Sequence, residues 1–488
     1  MGRKSSRHAH IKQATLRLCN ERPALNMSFT GESLSHFGGL PLAAKIEKLT
    51  GLIEGAAAKI NDHRTQSLID YNTAQLLKQC VFLTATGNPD TNDADIFGSD
   101  PALLEALELA NDETAASQAS ISRFLNSVTK EDLERIADWL LEFYIRQHPV
   151  RRKRIYLYAD GTAVETYGKQ EGAVYRAGKY KKEMYFPLTI FDQDGWLLTA
   201  LLRPGYKSEA KTILEQVEKV VGRLRQKWPG VEIVLVVDGA FKSSSLLNWC
   251  ENNKVFYLAG YSNSFAVQMM VKPDQKKLET KFKKNHGKPR FLGKKGKKDV
   301  QKEHTRIRDI ENPQERMKEE KALARRRERR MGEAMHRATT WPKTDPDRRL
   351  IYRLDYTDTG LDTRCILTNF DGYTAEKLYE MYCRRGASEN WIGELKNCGH
   401  LRFNSQSFRA NQFRLQIHGL AYMLLFLLRR SMSADFQNLS LETLRKTFIT
   451  ITTQVKYKSR LTTLWALDER FPFQTEFLRV ARKLERAS

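Results

Sequence analysis

Three acidic residues stand where the chain could bind divalent cations. Asp160 follows a strand-like run, and Asp238 directly follows the apolar run Ile233 to Val237. Glu389 lies in a later segment with helical spacing, residues 378–396. Carboxylate oxygens are ligands that Mg²⁺ prefers, and two such ions about 3.5–4 Å apart can activate an attacking oxygen and stabilise a leaving oxygen. These residues therefore suggest metal-dependent cutting and joining of nucleic acid.

The order of elements around the two aspartates predicts how they meet. Periodicity predicts three strands, a helix, a strand, a helix and a strand, at 155–159, 184–191, 196–202, 208–228, 231–237, 243–252 and 255–259. That order is what a ribonuclease-H-like α/β fold requires. Its first and fourth strands are neighbours, so Asp160 and Asp238 can share a metal. Taken singly, each aspartate precedes a glycine and would more often be a turn residue.

The remaining segments complete the predicted fold class, an α/β ribonuclease-H-like core interrupted by a basic insertion, with helical N- and C-terminal regions. Residues 350–356 and 364–369 read as a hairpin, 408–430 as an apolar core helix and 439–488 as helices. We predict five regions. Residues 1–150 form a mainly helical DNA-binding or dimerisation region, 151–265 the first part of the core, 266–349 the basic insertion, 350–430 the second part of the core and 431–488 a helical tail.

Charge indicates the partner. Lys and Arg total 81 against 58 Asp and Glu, a net charge of +23, which favours a polyanion. Residues 272–337 carry 24 Lys and Arg against 11 Asp and Glu. Within them, Lys283 to Lys298 reads as a mobile loop and Glu315 to Arg330 as a solvated helix. We expect the insertion to grip a DNA backbone through four lysines, Lys294, Lys295, Lys297 and Lys298; a merely solvated segment is the alternative.

Other classes find little support. The six cysteines show no zinc or disulfide spacing, which fits a reducing compartment. The longest apolar run is too short to span a bilayer. We expect a cytoplasmic, nucleoid-associated protein with no membrane partner. The segment Ser117 to Val128 resembles the recognition helix of a helix-turn-helix, with Arg123 facing DNA, although an ordinary helical hairpin fits these letters equally well.

A second set of residues surrounds Glu389. Tyr382, Arg385, Glu389 and Lys396 fall within roughly 60° of arc on a continuous helix. One face would then offer a metal ligand, two phosphate-binding cations and a phenol. Gly386 could mark a break in this helix. An Arg/Glu pair on a solvated face is the alternative, but it leaves the tyrosine and the lysine spacing unexplained.

These residues carry a family resemblance. The pattern Tyr-x2-Arg-x3-Glu-x6-Lys resembles the YREK signature of bacterial insertion-sequence transposases of the DDE type. The chain is most similar to insertion sequence family 1380, which is related to piggyBac-like elements. The similarity extends over most of the chain and includes six further stretches: FGGL at 37–40, TNDAD…DPAL at 91–103, ASQASISRF at 116–124, YGKQEGAVY at 167–175, LRPG at 202–205 and ANQFRLQIHGLAYMLL at 410–425.

The resemblance implies roles for individual residues. Asp160, Asp238 and Glu389 would be the DDE triad and would hold two Mg²⁺ ions, or Mn²⁺. Tyr382, Arg385 and Lys396 would position the backbone of the transposon end. In hairpin-forming relatives an aromatic residue of the inserted region holds a flipped base, and Trp341 is the candidate. A homodimer would bind two terminal inverted repeats and join their 3′-hydroxyl ends to target DNA.

We therefore predict a DNA transposase that acts on double-stranded DNA. Two alternatives stay open from the sequence. One is a nuclease of the same fold that cuts without joining, and the other is a domesticated DNA-binding protein that no longer cuts. Ala163 and Val164 stand where relatives often carry further acidic residues, and the insertion is unusually rich in lysine.

Overall fold

The computed structural model describes residues 13–16, 25–28, 33–65, 67, 69–177, 180–205, 209–291, 293–459 and 462–487. The chain divides into two compact units. One comprises Met1–Asp132, Lys396–Leu401 and Ile417–Ser488, and the other comprises Leu133–Leu395 and Arg402–Gln416. We call the first the terminal unit and the second the core unit.

The elements before residue 150 are mainly helical, as the sequence predicts. The helix Thr73–Thr86 begins with a reciprocal cap. The Asn72 side chain accepts a hydrogen bond from the backbone amide of Gln75, and the Gln75 side chain accepts one from the backbone amide of Asn72. The elements are β1 (Gln13–Leu16), β2 (Leu25–Ser28), β3 (Leu34–Ser35), α1 (Leu40–Thr50), α2 (Leu52–Ala57), α3 (Thr73–Thr86), α4 (Asp93–Phe97), α5 (Pro101–Ala106), α6 (Gln118–Ser127) and α7 (Lys130–Arg146).

The middle of the chain alternates strands and helices. Its elements are β4 (Arg154–Gly161), β5 (Val164–Glu165), β6 (Val174–Arg176), β7 (Lys182–Tyr185), β8 (Leu188–Asp192), β9 (Leu197–Leu201), α8 (Glu209–Lys227), β10 (Glu232–Val237), α9 (Ser244–Asn252), β11 (Phe256–Tyr261), α10 (Phe265–His286), α11 (Gly293–Arg308), α12 (Pro313–Arg325), β12 (Arg327–His336), β13 (Arg348–Thr357), β14 (Gly360–Thr368), α13 (Ala375–Cys383) and α14 (Gly386–Asn397). The predicted order of the core is confirmed.

An eight-stranded mixed sheet organises the core unit, in the order β12-β13-β14-β11-β10-β4-β8-β9. Strands β4, β8 and β9 form the antiparallel meander, and β10 pairs in parallel with both β4 and β11. This arrangement is the ribonuclease-H-like topology, extended beyond β11 by the hairpin β13–β14 and by β12. The first and fourth core strands are therefore neighbours, as predicted.

The sheet is buried because its central strands are apolar on both faces. Five consecutive residues of β10, Ile233 to Val237, are almost inaccessible to solvent, which is typical of a parallel strand covered on both sides. On one face Tyr158, Val234 and Leu258 pack with Leu378 and Met381 of α13 in a single hydrophobic cluster. This packing fixes α13, and with it the start of the segment that bears Glu389.

The basic insertion is more ordered than its composition suggests. The predicted mobile loop from Lys283 to Lys298 is wrong: α10 continues to His286 and α11 begins at Gly293. Lysine is a good helix former, so a lysine-rich run need not be a loop. The second segment is helical only as far as Arg325, and its remaining residues enter β12, which pairs with β13 along its whole length.

The end of the chain is not wholly helical. Its elements are α15 (Phe408–Ser431), α16 (Leu441–Leu444), a π-helical turn (Arg445–Ile449), β15 (Thr453–Ser459), β16 (Thr462–Leu467) and α17 (Gln474–Arg486). The helical prediction for 439–488 missed the hairpin β15–β16, which the alternating β-branched residues of TTQVKYKS favour. The apolar core helix is confirmed as α15. In the described part of the chain, no helix has the length and hydropathy needed to cross a membrane.

The FGGL stretch has a packing role in the terminal unit. Gly38 and Gly39 donate backbone hydrogen bonds to the carbonyls of Ile451 and Ile449. A Cβ on Gly39 would lie 1.7 Å from the Phe448 carbonyl oxygen, so only glycine permits this approach. The motif therefore joins the N-terminal helices to the C-terminal hairpin.

Candidate active site

Two of the three predicted carboxylates lie at the ends of adjacent parallel strands. Ala159 of β4 is paired with Val237 of β10, so Asp160 and Asp238 are the next residues at the same edge of the sheet. Asp160 is 8% exposed, and one of its oxygens accepts the Gly161 amide. An Asp238 oxygen accepts the Ala240 amide, which holds that side chain at the turn after β10.

The helical segment that contains Glu389 is interrupted next to Gly386, the residue at which the sequence indicated a possible break. The prediction of one continuous helix is wrong, because α13 ends at Cys383 and α14 begins at Gly386. The Trp391 side chain then holds α14 in place, since its ring contacts Tyr158 of β4 and Phe191 of β8 at centroid distances of 5.8 and 5.7 Å. Trp391 lies two residues after Glu389, so its packing sets the position of the carboxylate.

Arg385, at the break between these helices, joins the carboxylates. Its Nη1 donates to Asp160 Oδ2 at 2.9 Å and its Nη2 donates to Glu389 Oε1 at 2.8 Å. One guanidinium thus bridges residues that are more than two hundred positions apart in the sequence. Arg385 and Glu389 therefore form the ion pair that the sequence offered as an alternative. It is more than a pair on a solvated surface, because Arg385 also pairs with the buried Asp160.

The pKa of Asp160 reflects its burial and its charged neighbours. Burial raises the pKa of Asp160 to about 6, and the negative charges of Asp238 and Glu389 act in the same direction. Arg385 and the Gly161 amide oppose this rise in the pKa of Asp160. A carboxylate that is desolvated beside two others is under-neutralised, and further positive charge at this place would stabilise its ionised form.

A cleft of about 570 Å³ opens over the site. Asp238, Glu389 and Arg385 line it, together with Tyr382, whose hydroxyl lies close to the backbone of Gly260. A Cβ on Gly260 would come within 2.5 Å of that hydroxyl, so the glycine makes room for the phenol. Burial raises the pKa of Tyr382, so the phenol stays protonated and can donate a hydrogen bond.

Sequence reasoning missed three residues of the cleft wall, Lys242, Tyr261 and Arg364. The Lys242 ammonium lies 4.6 Å from the centre of the Tyr261 ring and hydrogen-bonds Ser262. Burial lowers the pKa of Lys242, and Asp238 opposes that change. Lys242 could have been found as the only lysine in the turn after Asp238. Arg364 could not, because only the pairing of β14 with β13 and β11 brings it here.

The chemistry of the donor set fits divalent cations. Among the residues that the structure describes, no group of three or more His, Cys, Asp or Glu has the spacing of a preformed metal site. Instead, the Arg385 guanidinium bridges Asp160 and Glu389, and the charge of Asp238 acts on Asp160. Carboxylate oxygens are the hard donors that Mg²⁺ and Mn²⁺ prefer.

The remaining predicted DNA contacts lie in different places. Lys396 is in the last turn of α14. Arg123 is exposed on α6, and its guanidinium donates a hydrogen bond to Ser120. A recognition helix needs such an exposed side chain to contact DNA. Lys294, Lys295, Lys297 and Lys298 lie in the first turns of α11; Lys298 is exposed, and the side chains of the other three fall outside the described residues.

The Trp341 side chain packs against other residues of the protein rather than extending towards a DNA partner. Its ring is 6.3 Å from that of Tyr261 in an edge contact, and the buried Arg348 guanidinium stacks over it at 4.9 Å. Arg348 is in turn paired with Glu251. Trp341 therefore supports the cleft wall through Tyr261 in this structure.

The antiparallel meander of β4, β8 and β9, followed by the parallel strands β10 and β11, defines the fold as ribonuclease-H-like. The family model described as "Transposase DDE domain group 1" matches residues 19–488. The chain therefore belongs to the DDE transposases. It is a DNA transposase, a metal-dependent DNA endonuclease and strand transferase, and neither alternative from the sequence receives support.

The solved structures that are similar to the chain include two transposase complexes. One is described as "Cryo-EM structure of piggyBac transposase synaptic complex with hairpin DNA (SNHP)", with 10% identity, a TM-score of 0.42, and coverage of 86% of this chain and 82% of that one. The other is a "Mos1 transposase paired-end complex with left transposon end", with 14% identity, a TM-score of 0.16, and coverage of 41% of this chain and 61% of that one. A search of curated proteins found no match.

Proposed function

We propose that Asp160, Asp238 and Glu389 are the catalytic carboxylates and that they hold two Mg²⁺ ions while the protein cuts the ends of its own element and joins them to target DNA. One observation carries this proposal: Asp160 of β4 and Glu389 of α14 both pair with Arg385, and Arg385 and Glu389 line one cleft together with Asp238 of the turn after β10. Bound Mg²⁺ would supply activation of the attacking oxygen and neutralisation of the developing phosphate charge.

The other cleft residues bind and orient the DNA in this proposal. Arg385, Lys242 and Arg364 place three cations where phosphates enter, and a guanidinium can bind two phosphate oxygens at once. As DNA phosphate approaches, Arg385 can exchange a carboxylate partner for a phosphate oxygen. The Tyr382 hydroxyl, protonated and held beside Gly260, would donate to the backbone next to the scissile bond.

The regions outside the core would supply recognition. We propose that Lys396 and the exposed Arg123 contact the transposon end, that α11 brings Lys294, Lys295, Lys297 and Lys298 to a DNA backbone, and that Trp341 contacts DNA only after leaving Arg348. The net charge of +23 supports a double-stranded DNA partner. Two copies of the chain would hold two inverted terminal repeats. Residues 1–150 would be the DNA-binding or dimerisation region, as the sequence predicts.

The test uses the element's own terminal DNA with Mg²⁺. Asp160→Asn, Asp238→Asn and Glu389→Gln should each reduce cleavage and strand transfer by at least about a thousandfold while DNA affinity changes little. Asp371→Asn, an exposed aspartate after β14, is the matched control and should retain activity. A triad variant that still cuts at the wild-type rate would show that its residue is not catalytic.

Strand transfer separates the proposed activity from simple cleavage. Wild-type protein with cut ends and a supercoiled plasmid should give products in which the 3′-hydroxyl ends are covalently joined to plasmid DNA. Sedimentation of the protein with terminal DNA should give a species with two protein chains and two ends. Cleavage without any joined product would contradict the proposed reaction.

A further inference from the structure

Helix α10 begins at the rim of the active-site cleft. Tyr261 and Ser262, at the end of β11, line the cleft, and the helix starts three residues later. The Ser264 side chain accepts the Val267 amide and caps this end of the helix. The first turn of α10 therefore lies next to the place where the scissile phosphate would bind.

One face of α10 is packed and the opposite face carries an exposed stripe. Val267, Val271, Leu278 and Phe282 are buried, and the helix contacts β12 and β13. At 100° per residue, a second set of four side chains falls within roughly 60° of arc on the other side. We call this set the α10 stripe: Phe265, Met269, Lys272 and Lys276.

The composition of the α10 stripe needs an explanation. Phe265 is 78% exposed and Met269 is 50% exposed, at adjacent turns of the end nearest the cleft. Large apolar side chains in contact with water are costly unless a partner covers them. Lys272 and Lys276 continue the same line away from the cleft. Glu279 borders the stripe but pairs with Lys283 at 2.7 Å, so it does not cancel these lysines.

The order of residues along the stripe matches a DNA duplex. Phe265 and Lys276 are eleven positions apart, which is about 16 Å along a helix axis. Lys272 and Lys276 are four positions, or about 6 Å, apart and can contact successive phosphates, and apolar side chains such as Phe265 insert between base steps in proteins that bend DNA. A protein partner would be favoured if acidic or further apolar residues continued the stripe, but lysines do.

We propose that the α10 stripe binds duplex DNA beside the active site, with Lys272 and Lys276 on the phosphates and Phe265, backed by Met269, wedged into a base step. The inference rests on the proposed function for the identity of the substrate, but it concerns binding and DNA shape rather than bond cleavage. Insertion of Phe265 would bend the duplex and expose the scissile bond to the carboxylates.

The lysines are tested by the salt dependence of binding, measured with Ca²⁺ so that no cleavage occurs. Each phosphate contact contributes about 0.9 to the slope of log affinity against log salt. Lys272→Ala with Lys276→Ala should lower the slope by roughly 2. Lys277→Ala, an exposed lysine of the same helix outside the stripe, is the matched control and should leave the slope unchanged. Terminal DNA and an unrelated duplex are compared in parallel, so that binding of ends and of target are distinguished.

The wedge is tested by fluorescence of 2-aminopurine in the duplex and by energy transfer between its ends. Phe265→Ala should abolish the fluorescence increase and the bend without changing the salt slope, whereas Phe265→Leu should restore most of both signals. Met335→Ala removes another exposed apolar side chain, 61% exposed on β12, and should change neither signal.

Two outcomes would overturn the inference. One is unchanged binding slope and unchanged DNA shape in all stripe variants. The other is loss of self-association without DNA in Phe265→Ala, which would assign the stripe to a protein interface. Failure of the proposed function looks different, because wild-type protein would then bind and bend DNA through the stripe but would not cut it.

Discussion

Replacing Asp160 by Asn should make the metal-free protein more stable at alkaline pH although it removes activity. Asp160 has a pKa of about 6 in the folded protein against an ordinary value of 3.8. The folded state therefore holds this proton more tightly than the unfolded state does. The resulting stabilisation is complete below about pH 4 and is lost as the pH rises through 6.

The magnitude follows from the pKa difference. A shift of about two units corresponds to about 3 kcal/mol between the two protonation states, which is an upper bound for a single buried group. Asn resembles the protonated carboxyl in size and charge. The substitution should therefore change the free energy of unfolding little below about pH 4, and should raise it progressively at higher pH, by up to about 3 kcal/mol at pH 8.

The assay is thermal and urea unfolding in EDTA across this pH range, repeated with Mg²⁺. Mg²⁺ should stabilise the wild-type protein and should have a much smaller effect on Asp160→Asn, since binding to the folded state raises apparent stability. Asp371→Asn should show neither effect. A stability difference that does not grow with pH, or a less stable Asp160→Asn at pH 8, would refute the raised pKa of Asp160 in the folded protein.

Three further substitutions test the supporting residues. Arg385→Gln removes a group that lowers the pKa of Asp160. Mn²⁺ binding, measured by titration calorimetry, should therefore require a higher pH than in the wild type. An unchanged pH profile would contradict the bridge. Gly260→Ala places a Cβ 2.5 Å from the Tyr382 hydroxyl and 2.9 Å from the Gly239 nitrogen, so it should slow cleavage by about tenfold to a hundredfold in single-turnover kinetics and also lower the melting temperature; unchanged kinetics would contradict the role of Tyr382. Trp391→Ala removes the ring between Tyr158 and Phe191 and should cost about 3 kcal/mol in urea unfolding as well as activity; loss of neither would mean that α14 is held by other contacts.

The core was predictable because its pattern is local and its topology follows general rules. Apolar runs mark β4 and β10, and the order of elements makes them neighbours, so the meeting of Asp160 and Asp238 followed from the sequence. The family signature led to Glu389. The sequence did not reveal that Arg385 also reaches Asp160, because that contact depends on the break at Gly386 and on the packing of Trp391.

The errors have identifiable physical causes. The prediction of a loop over Lys283 to Lys298 fails because a high density of charge does not prevent helix formation, and lysine has good helical propensity. The prediction for residues 439–488 misses the hairpin β15–β16 because its two short strands lie between segments with helical patterns, although their own alternation favours strands. Arg364 joins the cleft through strand pairing at long range, and no local signal in the sequence points to it.

The most direct test of the central claim is to locate Mn²⁺ by anomalous scattering in crystals of the protein with terminal DNA. The account predicts Mn²⁺ bound by oxygens of Asp160, Asp238 and Glu389, with the scissile phosphate beside it. Mn²⁺ bound elsewhere, or bound without any one of these three carboxylates, would contradict it.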